Sequence, residues 1–154
     1  MKPARKSKPR HSQTAKCYAH YLADLKRKAP FERMLIEQGY SFHAPNMFCD
    51  DNQDMQTFFL HTTKDGIRLV MPTYGDLSDI EPADAQVFMT LMNGTAMVTR
   101  FFIGDGFIQA EALYHGKFNP KKFMEFLKHW RADIEPIMVK DSAVKHWHMS
   151  RKRR

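Results

Sequence analysis

Histidines, two cysteines and three short polar runs are the residues of this chain with the most chemical potential. His146-Trp147-His148 places two imidazoles one residue apart, a spacing that holds a metal only when a third ligand is near. None accompanies them in sequence, and a solvated tail is the better reading. Asp50, Asn52 and Asp54 alternate like the first ligands of a calcium loop. Such a loop needs Gly at its sixth position and Glu at its twelfth, and here those positions are Met55 and His61. Gly104-Asp105-Gly106 lacks the helix and the Lys-Ser/Thr pair that complete a phosphate loop. Cys49 becomes a nucleophile only beside a base, and no spacing brings a histidine to it. No acid–base pair is forced together. The expectation is a non-enzymatic chain with no catalytic residue, no metal and no cofactor.

Charge is more informative than any motif. The 154 residues carry 24 Lys/Arg and 17 Asp/Glu, a formal net charge of +7. Residues 1–28 hold nine Lys/Arg and one acid (+8), and residues 140–154 hold six and one (+5), leaving −6 for the body between. Arg5, Lys6, Lys8 and Arg10 at one end, and Arg151, Lys152, Arg153 and Arg154 at the other, are candidate polyanion contacts. Trp147 beside the second cluster offers a ring for base stacking. Two plainer readings stand beside this one: the tails aid solubility, or they fold back on the acidic body. An acidic partner protein would satisfy them as well.

Composition sets the class. At 43% hydrophobic and 27% charged, the chain suits one globular domain with a real core. No apolar run follows the basic N-terminus as in a signal peptide, and none is long enough to span a bilayer. Two cysteines make no disulfide framework. The expected location is cytoplasmic, with no membrane partner. Residues 1–17 read as a disordered basic tail, 18–139 as a single α+β domain and 140–154 as a second basic tail.

Periodicity supplies the elements within that domain. Phe31, Met34, Leu35 and Gln38 share a face, Pro30 suits a first turn and Gly39 a stop, so a helix is expected over 30–38. Tyr18, Tyr21, Leu22 and Leu25 also recur at helical spacing and suggest a lead-in. Residues 40–43 read as a short strand and 44–54 as a loop rich in Asp and Asn. Residues 56–63 and 67–71 form a hairpin about Asp65-Gly66, with Leu60 opposite Met71. A second helix covers 82–92. Residues 97–103 and 107–114 form a second hairpin about Asp105-Gly106, with Arg100 opposite Glu111 and Phe101 opposite Ala110. Asn119-Pro120 opens the longest helix, 120–138, with Trp130 in the middle of its apolar stripe. The outcome is an antiparallel sheet of about five strands with three helices, in the order α-β-β-β-α-β-β-α.

The alternation leaves Phe59, Val70 and Phe102 on the face away from the core, with Arg68, Arg100, Gln109 and Glu111 around them. Either a helix covers this face, or isolated apolar side chains remain exposed, or the face is a dimer or client surface with an apolar centre and charged rim.

This order of elements resembles the type III secretion chaperone-like fold, and within it the YbjN-type proteins. The resemblance is carried by Leu35-Ile36-Glu37-Gln38-Gly39-Tyr40 before Ser41-Phe42, by the 56–72 hairpin and by the helix ending in Asn93-Gly94. It continues through Met97-Val98-Thr99-Arg100-Phe101 and the amphipathic helix 123–137. It implies a non-catalytic, protein-binding, chaperone-like or regulatory module. It also implies homodimers that hold client segments, with Phe88 and Met89 as alternative contacts. The runner-up is a nucleic-acid or other polyanion binder acting through the tails.

Overall fold

The computed structural model describes residues 11–50, 56–77 and 80–138. They form helix α1 (His11–Glu37), strands β1 (Tyr40–Ala44), β2 (Met47–Asp50), β3 (Gln56–Thr63) and β4 (Gly66–Asp76), helix α2 (Pro82–Thr95), strands β5 (Thr99–Gly104) and β6 (Phe107–His115), and helix α3 (Pro120–Met138). The strands make one antiparallel sheet in the order β1-β2-β3-β4-β6-β5. The α+β class and the sequence of elements are as expected, with six strands in place of about five.

The additional strand is β2, which lies within the expected 44–54 loop. Asp and Asn argue for a loop there, but Phe48 sits between Phe42 and Phe58 on the two neighbouring strands and is fully buried. Burial of one large ring, about 1.5–3 kcal/mol, outweighs the weak strand propensity of its neighbours. Helix α1 is also longer than expected, at 27 residues, and contains Pro30 in its interior. Residues 11–29 have no Gly or Pro and are rich in Ala, Leu, Lys and Arg, which are good helix formers. Residues 11–17, grouped with the basic tail by composition, form its first turns. Helix α3 matches the expected span and continues past Pro136, and Asn119 Oδ1 accepts the Lys122 amide at 3.0 Å as its N-cap.

All three helices contribute to one core on one face of the sheet. Phe31 and Leu35 of α1, Phe88 and Met89 of α2, and Phe123, Leu127 and Trp130 of α3 meet Phe58, Leu60, Leu69, Met71, Phe101 and Ala110 of the strands. Trp130 is fully buried against Phe58. Edge-to-face contacts of Phe31 with Tyr114, Phe118 and Phe123 tie α1 to α3 through the end of β6.

The second hairpin has the expected register, Arg100 with Glu111 and Phe101 with Ala110. Ile103, placed on the core face, is nonetheless exposed near the end of the strand. The first hairpin is shifted by two residues: Leu60 pairs with Leu69, and Thr63 with Gly66. A slip of two keeps every side chain on its face, so the expected core residues remain in the core.

Candidate binding surface

A six-stranded sheet with all of its described helices on one face presents the other face to whatever else is there. The registers define two rows across that outer face. One row runs Met47, Phe59, Val70, Glu111, Arg100, and the next includes His61, Arg68 and Leu113. In the first row the β2–β4 part is apolar and the β6–β5 part is charged; in the second, His61 and Arg68 lie on β3 and β4 and the apolar Leu113 on β6. Phe59 and Val70 are direct cross-strand neighbours and half-buried. Phe102 is 37% exposed but pairs with Gln109 at the far edge, two strands from Val70 and past Glu111 and Arg100. The three residues expected to form one patch therefore form an apolar pair and a separate exposed ring. Leu113, which strand alternation puts on this face, is exposed as well, at 42%.

The other expected contacts fall elsewhere. Phe88 and Met89, the alternative contacts implied by the resemblance, lie in the core, because the apolar stripe of α2 packs against the sheet. Val87 and Leu91 are the large apolar side chains α2 exposes. Arg5, Lys6, Lys8, Arg10, Trp147, Arg151, Lys152, Arg153 and Arg154 lie outside the described residues, as do His146 and His148. Among the described residues no group of three His, Cys, Asp or Glu is arranged to hold a metal ion.

Strand β5 is a sheet edge, and the outward backbone groups around its first half are engaged from within the chain. The side-chain amide of Asn93 accepts the Phe101 N–H and donates to the Phe101 carbonyl, both at 2.8 Å. The Asp133 carboxylate accepts the Met97, Val98 and Thr99 amides, each at 2.9 Å. Asn93 in α2 and Asp133 in α3 thus stand where a further strand would pair.

A second internal cluster fastens α3 to the other side of the sheet. Arg131 donates to the Tyr40 hydroxyl at 2.8 Å and to the Gln38 carbonyl at 2.6 Å, lies 3.6 Å from the buried Asp50 carboxylate, and stacks on the Tyr40 ring. Burial pushes the Tyr40 phenol up to about 12, with Asp50 adding to the effect and Arg131 opposing it. The phenol therefore stays protonated at neutral pH, and the cluster works as a fastening. Asp50, one of the alternating acids of the expected loop, is engaged here.

Sequence reasoning missed a concentration of cations at the β3–β4 turn. Two open grooves flank that turn. One, of about 660 Å³, is lined by Lys26 and Arg27 of α1, Lys64 and Asp65 of the turn, and Lys117 and Phe118 after β6. The other, of about 630 Å³, is lined by Lys64, Arg68, Arg100, Glu111 and His115. Arg27 donates to the Thr63 carbonyl, and Arg68 lies 3.8 Å from Glu111. Across from Arg68, the His61 imidazole is held below its usual range by burial first, then by Arg68 and Lys28. These residues come from four separate segments, so no window of sequence displays them together.

No family model matches the chain, and no curated protein matches it. Among solved structures it is similar to a crystal structure of YbjN from E. coli, described there as a candidate transcription regulator. The two share 14% identity with a TM-score of 0.51, over 72% of this chain and 87% of that one. The chain has a YbjN-like fold. At that identity the likeness is one of fold. No helix among the described residues is long and apolar enough to cross a membrane.

Proposed function

We propose that the protein is a non-catalytic binding module that engages a protein partner on the outer face of its sheet. The observation that supports this reading is the asymmetry of the sheet. Three helices share one face, while the other carries the exposed Phe102 and Leu113 beside a charged groove of Arg68, Arg100 and Glu111. Apolar side chains set among charges suit an intermittent partner better than a permanent one. Chaperone-like client binding and homodimerisation are two forms of the same use. A photo-crosslinking residue in place of Phe102 is expected to give a discrete protein adduct in source cells. The same residue in place of Met124, an exposed position on α3, serves as the control. Equal labelling at both positions would refute the outer face as the binding surface.

A second reading, contact with nucleic acid, is favoured by the cations around the β3–β4 turn and by the +8 and +5 terminal segments. The description of the similar E. coli protein as a candidate transcription regulator agrees with it. Its test is salt-sensitive binding of a labelled oligonucleotide at low ionic strength, and absence of such binding removes this reading.

A further inference from the structure

The two grooves on either side of the β3–β4 turn share Lys64 and Asp65, so they are one surface folded around the tip of a hairpin. Six Lys/Arg and two acids line it, a net +4; four of those cations and both acids, a net +2, belong to residues 29–139, which sum to −6. That local excess opposes the average charge of the body. Lys26, Lys64, Lys117 and Arg100 are exposed, and their charged side-chain groups make no hydrogen bond or ion pair with any described residue. Arg27 is differently employed: its guanidinium donates to the carbonyl of Thr63, which fixes α1 against the turn and sets Lys26 over the groove. A cluster built to hold its own acids would pair them, whereas here four cations remain open to solvent.

We propose that this turn end is a folded docking surface for the phosphate backbone of single-stranded nucleic acid, with Lys26, Lys64, Lys117 and Arg100 as the phosphate contacts. The proposal rests on the nucleic-acid reading above and moves the contact from the tails to the folded domain. The cations do not converge on one point as they would around a small anion. They lie along two grooves joined at a tip, which matches a chain of successive phosphates. Three of the four are lysines, point charges with flexible stems that hold a phosphate without fixing its orientation. Phe118, half-buried beside Lys117, lines the first groove and adds an aromatic ring against which a base can pack. Both grooves are open, so binding is independent of sequence.

The test uses the full-length chain, a fluorescein-labelled oligo(dT) strand and anisotropy across a salt series. Two variants are compared with the native protein: K26Q/K64Q/K117Q in the grooves and R151Q/K152Q/R153Q/R154Q in the C-terminal segment. Each phosphate contact on a single strand contributes about 0.7 to the slope of log affinity against log salt. The groove variant is expected to lose about 2 from that slope, and about 100-fold in affinity at ~0.1 M salt. Circular dichroism and Trp fluorescence matching the native protein establish that it is folded. Native-like binding by the groove variant, with loss confined to the tail variant, overturns the proposal and leaves the nucleic-acid reading standing. No binding by the native protein at low salt removes both. Competition by poly-glutamate as effective as by unlabelled oligo(dT) assigns the surface to an acidic protein and overturns it, and tighter binding of the corresponding duplex overturns the choice of a single strand.

Discussion

The two hairpins of this sheet begin from nearly the same sequence signal and resolve it in different ways. Asp65-Gly66 and Asp105-Gly106 both sit between strand-forming runs, where such a pair marks a two-residue turn. At the second hairpin it is the turn: Asp105 and Gly106 have φ of 52° and 78°, the left-handed pair that matches strand twist. At the first hairpin the turn is Lys64-Asp65, and Gly66 has become the first residue of β4. A Cβ on Gly66 would lie 1.8 Å from the Tyr114 carbonyl oxygen of β6, whereas one on Gly106 would meet nothing within 4 Å. One glycine supplies a backbone angle and the other supplies clearance. The difference follows from position in the sheet, since β4 has strands on both sides and β5 has one.

Substitution separates the two roles. Gly66→Ala is expected to destabilise the fold by about 3 kcal/mol or more, because the obstruction is backbone and cannot swing aside. Urea unfolding followed through Trp fluorescence measures it, and a loss under about 1 kcal/mol would show that β6 moves freely at that point. Asn93→Ala removes the bonds that do for the edge strand what β6 does for β4. Its expected cost is about 1–2 kcal/mol, with faster amide exchange at Phe101 as the local signature. Gly106→Ala meets no neighbour and bears only the left-handed backbone, about 1 kcal/mol. A loss as large as that of Gly66→Ala would erase the distinction.

The smallest expected effect concerns charge across the strands. The second hairpin sets Arg100 opposite Glu111, while the first sets His61 opposite Arg68, two groups that repel once the imidazole is protonated. The His61 pKa in the folded chain is lowered, so the unfolded chain takes up that proton first. The contribution to stability is therefore fully present above the ordinary histidine value of about 6.5 and is lost as pH falls through the folded value. An NMR titration of the His61 ring is expected to show a midpoint below that ordinary value, and Arg68→Gln should raise it. A midpoint unmoved by that substitution would remove Arg68 as a cause.

Much of this architecture is legible in sequence where one feature is periodic over many residues. The stripe through Phe123, Phe126, Leu127, Trp130 and Ile134 needs no knowledge of its neighbours, and helix α3 lies where it predicts. Strand faces are equally robust, because even the displaced register of the first hairpin moves by a whole period. What sequence conceals depends on a second segment. Phe48 makes a strand only because Phe42 and Phe58 flank it. Phe88 and Met89 look like contacts until the sheet covers them. Phe59 and Phe102 share a face without sharing a patch, because their separation depends on strand order. The cations at the turn belong to the same class: they meet only when α1, β4, β5 and β6 are assembled.

The side chains that occupy the outer edge of β5 also limit how copies of this protein can stack. An unending row of molecules joined strand to strand consumes two edges per copy, one to receive and one to offer. With Asn93 and Asp133 bonded around the first half of β5, one of those edges is largely taken, which leaves β1 at the far side as the more open edge among the described residues. Among the described residues, the fold therefore works against filament growth by extension of the sheet through β5.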